Sequence, residues 1–72
     1  MLIKFSLELL ESDHIELVKL LKATGTFSSG GTAKLAISEG KVRVDGVVES
    51  RKARKITRGQ KVQCQGSTIQ VV

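Results

Sequence analysis

From Ile3 to Leu9 apolar and polar side chains alternate, with Ile3, Phe5, Leu7 and Leu9 separated by Lys4, Ser6 and Glu8. Successive side chains of an extended chain point to opposite faces, so this period of two predicts a strand with one buried face. Ser12 and Asp13 interrupt it, and the spacing then lengthens. Ile15, Leu17, Val18, Leu20 and Leu21 form the apolar stripe of a helix. Asp13 stands at the N-cap position of that helix with Glu16 three places on, the form of a capping box. Lys19 and Lys22 lie toward its end, where cations suit the macrodipole. Gly25 can close it at positive φ.

Thr26 and Phe27 make a short link, and Phe27 is expected in the core. Ser28 or Ser29 can cap a second helix, with Ala33, Ala36 and Ile37 on its apolar side, Leu35 widening the stripe and Gly40 as the stop. Gly30 and Gly31 in its first turn cost about 1 kcal/mol each relative to alanine. A bare backbone there suits close approach to a ligand or to the first helix. From Lys41 the period returns to two. Val42 and Val44 alternate with Lys41 and Arg43, Asp45-Gly46 is a hairpin-turn signal, and Val47 and Val48 begin the return strand. Residues 50–55 read as a polar loop, Ile56 as a return to the core, and Arg58-Gly59-Gln60 as a turn. Val62 and Cys64 mark another strand, Gly66-Ser67 a turn, and Ile69 and Val71 a last strand. The order predicts an α+β fold: two short helices packed on one face of a small, mostly antiparallel sheet.

Length changes what such a fold can do. A chain of 72 residues is expected to form a single domain that buries about 60% of its unfolded surface. It has no room for a cofactor-sized cavity, so a ligand is expected on the outside or in a shallow groove, and no cofactor is expected. The single cysteine, Cys64, excludes an internal disulfide and a cysteine-rich zinc site. No run approaches the roughly 18 apolar residues of a membrane span, and Met1 to Phe5 lacks the apolar core of a signal peptide. A cytoplasmic protein without membrane contact is expected.

Charge is divided unevenly. The chain carries +5 in all. Residues 1–40 hold four cations and five anions, whereas residues 41–72 hold eight cations and two anions. Six cations (Arg51, Lys52, Arg54, Lys55, Arg58 and Lys61) follow one another with no acid between them. A stretch this dense attracts a polyanion.

One segment is more specific. Ser28-Ser29-Gly30-Gly31-Thr32-Ala33-Lys34-Leu35-Ala36-Ile37, followed by Glu39-Gly40-Lys41-Val42-Arg43-Val44-Asp45-Gly46, resembles the S-four RNA-binding domain, also called the alpha-L motif. That family shows a serine-containing helix start, an alanine, an isoleucine a turn later, and then Gly-x-Val-x-Val-Asn-Gly; here Asp45 replaces the asparagine. Arg58-Gly59-Gln60-Lys61-Val62 is similar to the family's later glycine turn. The likeness covers about residues 14–65, and the whole chain looks like the short, stand-alone YbcJ-like branch found in bacteria, with its added N-terminal strand. Gly30 stands where the family often has arginine, and Glu16-Leu17-Val18 where it often has Arg-Leu-Asp. Both changes remove a cation from the family's RNA face, and Lys34 and the 51–55 cluster supply others.

The resemblance implies an RNA surface on the second helix and the hairpin. Carried over by position, it points to Ser29, Thr32 and Lys34, and to Lys41, Arg43 and Asp45; the unobstructed amides near Gly30 and Gly31 can also meet a phosphate. Charge adds Arg51, Lys52, Arg54 and Lys55, since a guanidinium can grip phosphate with two parallel bonds. Convergence of these cations on one side of the globule is expected. With Phe27 as the only candidate for stacking, recognition of duplex shape and phosphate is favoured over unpaired bases. Structured RNA, ribosomal or transfer RNA included, is the expected partner of a non-catalytic monomer. The alternatives are a module docking an acidic protein and a DNA binder. An enzyme is disfavoured: His14 is the only histidine, no metal set can be built around it, and Cys64 reads as a small core residue.

Overall fold

A computed structural model describes residues 1–72. Five strands form the main sheet: β1 (Leu2–Phe5), β3 (Arg43–Val44), β4 (Val47–Val48), β6 (Lys61–Cys64) and β7 (Ser67–Val71). Their order is β1-β7-β6-β3-β4; β1 runs parallel to β7 and every other pairing is antiparallel. A second, two-stranded sheet joins β2 (His14–Glu16) to β5 (Lys55–Thr57). Helices α1 (Leu17–Ala23) and α2 (Gly30–Ser38) complete the α+β architecture. Neither helix is long and apolar enough to cross a membrane.

The first strand is shorter than its alternation predicts. Phe5 pairs with Val71, the last residue of β7. Past Ser6 the chain coils into one 3₁₀ turn over Leu7–Leu10. Leu7 stays buried and donates its N–H to Val72 O, while Leu9 is 80% exposed.

The first helix also starts later. Asp13 does not cap it; its carboxylate meets His14 Nδ1 at 2.9 Å. Residues 14–16 extend as β2 against β5, and α1 begins at Leu17 with no side-chain cap. Its unpaired N-terminal amides instead find distant carbonyls: Leu17 N–H donates to Arg54 O at 2.8 Å and Val18 N–H to Lys52 O at 3.0 Å. A helix start must satisfy these donors somehow, and here the basic segment does so.

The second helix and the hairpins follow local rules. Ser29 caps α2: its hydroxyl accepts from Thr32 N–H, and Thr32 Oγ1 accepts from Ser29 N–H. Gly40, at φ 75°, ends it, with Lys41 N–H reaching back to Ala36 O. Asp45 and Gly46 both take positive φ in the two-residue turn joining β3 to β4. The β6–β7 turn is Gln65-Gly66, one residue earlier than expected, because Ser67 already pairs with Cys64.

One core of sixteen buried residues joins the helices to a single face of the main sheet. Ala33, Ala36 and Ile37 of α2 and Leu17, Leu20 and Leu21 of α1 meet Val42, Val44, Val62, Cys64, Ile69 and Val71. Ile56 and Phe27 join it as expected. Each fully buried aliphatic side chain contributes about 1.5–3 kcal/mol relative to exposure.

Candidate nucleic-acid interface

One face of α2 and the segment following β4 face each other across an open groove. Gly31, Lys34, Leu35 and Ser38 form one wall, and residues 50–55 form the other. Five cations thus meet (Lys34, Arg51, Lys52, Arg54 and Lys55), and no acid lines the groove. Position 34 and positions 51–55 are far apart in sequence; α2 packs on α1, whose first amides bond the carbonyls of Lys52 and Arg54, and this brings them together.

Glu49 organises this wall. Its side chain is only 9% exposed, and it is the one charged residue in the buried set. Arg51 donates to it three times: from its backbone N–H at 3.0 Å, from Nε at 3.2 Å and from Nη2 at 3.3 Å. Arg54 adds a fourth bond from Nη1 at 2.7 Å. The Arg51 side chain, the Arg51 backbone and Arg54 together hold the Glu49 carboxyl down at about 2. Glu49 in turn raises the Arg51 pKa. The donors Nε and Nη2 that would grip a phosphate from Arg51 are therefore occupied within the protein. Lys34, Lys52 and Lys55 have no such partner.

Sequence reasoning missed Glu49, yet a signal was present. The Asp45-Gly46 turn places residue 49 opposite Val42, and Glu49 N–H indeed donates to Val42 O at 3.0 Å. Val42 points inward, so a carboxylate opposite it points inward too and needs internal donors. Arginines two and five residues later supply them.

The remaining candidates separate. Ser29 and Thr32 spend their hydroxyls on capping one another. Gly30 has nothing within 4 Å of where a Cβ would sit, so close packing on the first helix does not explain it. The Asp45 carboxylate accepts from Lys61 N–H at 2.9 Å and from Gln60 Nε2 at 3.1 Å, and these bonds lower its pKa. Lys41 pairs with Glu39 at 3.3 Å. Arg43 faces away from the core, as the alternation predicts, and is not part of the groove. The cations do not all converge on one side, because the pleat sends β3's outward residue to the far face of the sheet.

The family model of the S4 domain matches residues 8–72. The chain belongs to the S4 domain family. The S4 domain here is 54% identical over 59 residues to YbcJ of Escherichia coli (strain K12), which its name describes provisionally as an RNA-binding protein. That match covers 82% of this chain and 84% of the relative. YbcJ of Shigella flexneri matches to the same extent. The solution structure of E. coli YbcJ superposes with a TM-score of 0.73 at 51% identity, covering 96% of this S4 domain and 85% of that chain. Its description assigns it an alpha-L motif involved in RNA binding. The family and fold that the residues of α2 and the β3–β4 hairpin implied are thereby established.

Proposed function

We propose that this S4 domain binds structured RNA through the phosphate backbone, along the groove between α2 and residues 50–55, and performs no catalysis. The observation that carries the reading is the meeting of Lys34 with the Arg51–Lys55 cluster on one acid-free groove. The open backbone at Gly30 and Gly31 adds amides of the α2 N-terminus to the phosphate-facing surface. Lys34, Lys52 and Lys55 act as mobile point charges, whereas Arg51 and Arg54, tied to Glu49, hold the wall in shape. The groove has no aromatic side chain, which fits recognition of a duplex backbone, of the kind that ribosomal and transfer RNA both offer. A reaction finds no support in the candidate nucleophile and base: burial pushes the Cys64 thiol up, and His14 Nδ1 is engaged by Asp13.

Titration of a fluorescent RNA hairpin at several ionic strengths tests this. If the three free groove lysines each neutralise one phosphate, log affinity falls with log salt at a slope near −2 to −3. Lys34→Ala with Lys52→Ala is expected to weaken binding and to flatten that slope. An unchanged slope and affinity in this variant, with its thermal unfolding intact, would overturn the reading.

A further inference from the structure

A second cationic surface lies on the side of the sheet that the helices leave bare. The register places Leu2, Thr68, Gln63, Arg43 and Val48 in one row across the outward face, and Lys4, Gln70 and Lys61 in the next. Strands lie about 4.8 Å apart and alternate residues about 6.8 Å apart, so Lys4 and Lys61 stand roughly 10 Å apart and Arg43 roughly 8 Å from Lys61 at the Cα level. None of these three cations is ion-paired. No outward strand position in either row carries an acid. At the rim Glu39 is paired with Lys41, and Asp45, held by Lys61 N–H and Gln60, contributes one negative charge beside Lys61 against the three cations.

Between the cations stand Gln63, Gln70 and Thr68, side chains that both donate and accept hydrogen bonds. The three cations favour an anionic partner, and the lack of any aromatic on the face excludes base stacking. Phosphates with neighbouring 2′-hydroxyls, as displayed along an A-form RNA backbone, match both features. The inner face of the same sheet carries the core, and α2, which forms one wall of the groove, packs against it. The two cationic surfaces thus belong to different sides of the sheet.

We propose that the outer sheet face, through Lys4, Arg43 and Lys61, is a second RNA-backbone site, so that one copy of the chain holds two RNA segments at once. This rests on the groove being an RNA site. The test is a capture assay in which the full chain links a biotinylated RNA hairpin to a fluorescent one. The wild type is expected to retain the second hairpin. Lys4→Gln/Arg43→Gln/Lys61→Gln is expected to reduce retention about tenfold or more, through loss of three phosphate contacts, while binding a single hairpin within about twofold. Should the triple variant fail to fold, Lys4→Gln/Lys61→Gln is read in the same way. Retention equal to wild type in the sheet variant overturns the proposal. So does retention explained by a protein dimer seen by sedimentation without RNA, or poly-glutamate held by the sheet face in preference to the hairpin. The groove reading fails separately, if Lys34→Gln/Lys52→Gln binds a single hairpin as tightly as the wild type.

Discussion

The groove and the outer sheet face present cations by different means. In the groove they stand on irregular backbone at residues 50–54 and on the first turns of a helix. That backbone has few regular partners, and a buried carboxylate, Glu49, holds it together at the cost of part of its positive charge. On the sheet, inter-strand hydrogen bonds hold the shape and every outward cation stays unpaired. An irregular charged wall needs an internal counter-ion to keep its form; a regular one does not.

Removing that counter-ion is the strongest way to break the contrast. Glu49→Leu leaves Arg54 and Arg51 without their acceptor and loosens the carbonyls of Lys52 and Arg54 that cap α1. A loss of about 1–3 kcal/mol in urea unfolding is expected, in the range for lost hydrogen bonds to a charged group. Arg43→Leu on the sheet is expected to change stability by no more than about 0.5 kcal/mol. Next in size is Asp45→Ala, which removes the acceptor for Lys61 N–H and is expected to cost about 1 kcal/mol. Asp45→Asn, which keeps an oxygen there and tolerates positive φ, is expected to stay within about 0.5 kcal/mol.

The Glu49 carboxyl titrates at about 2 in the folded chain against an ordinary 4.5. A lowered folded pKa means stability that is complete above the ordinary value and is lost as the pH falls from about 4.5 toward 2. Thermal unfolding followed across that window is expected to show a shallower acid decline in Glu49→Gln than in the wild type. Arg43→Gln is expected to leave the decline unchanged. The smallest effect is on the ionic-strength slope for a single hairpin: each groove lysine removed is expected to lower its magnitude by about 0.7–0.9.

Much of the fold was legible because local chemistry and tertiary structure agree. Ser29, Gly40 and Asp45-Gly46 act at short range, through a cap, a helix stop and a turn, and each does so where the pattern places it. The inward valines of β3 and β6, Ile56, Phe27 and Cys64 are buried as their spacing implies. Asp13 misled because Asp-x-x-Glu is equally compatible with the approach to a strand, and pairing of His14–Glu16 with β5 outweighs a cap. β5 itself had no signal beyond Ile56, being a three-residue strand whose partner lies some forty residues earlier.

For the site, residue type and spacing were enough to tell which residues carry charge, which side of each strand they occupy, and the family to which α2 and the hairpin belong. Those are consequences of residue type and period. It took the folded chain to show that Lys34 shares a groove with Arg51–Lys55, that Glu49 occupies the arginine donors, and that Arg43 joins Lys4 and Lys61 on the outer face of the sheet. Contacts between distant segments depend on how helix packs on sheet and which strands become neighbours. A periodicity of two or of 3.6 carries no information about either.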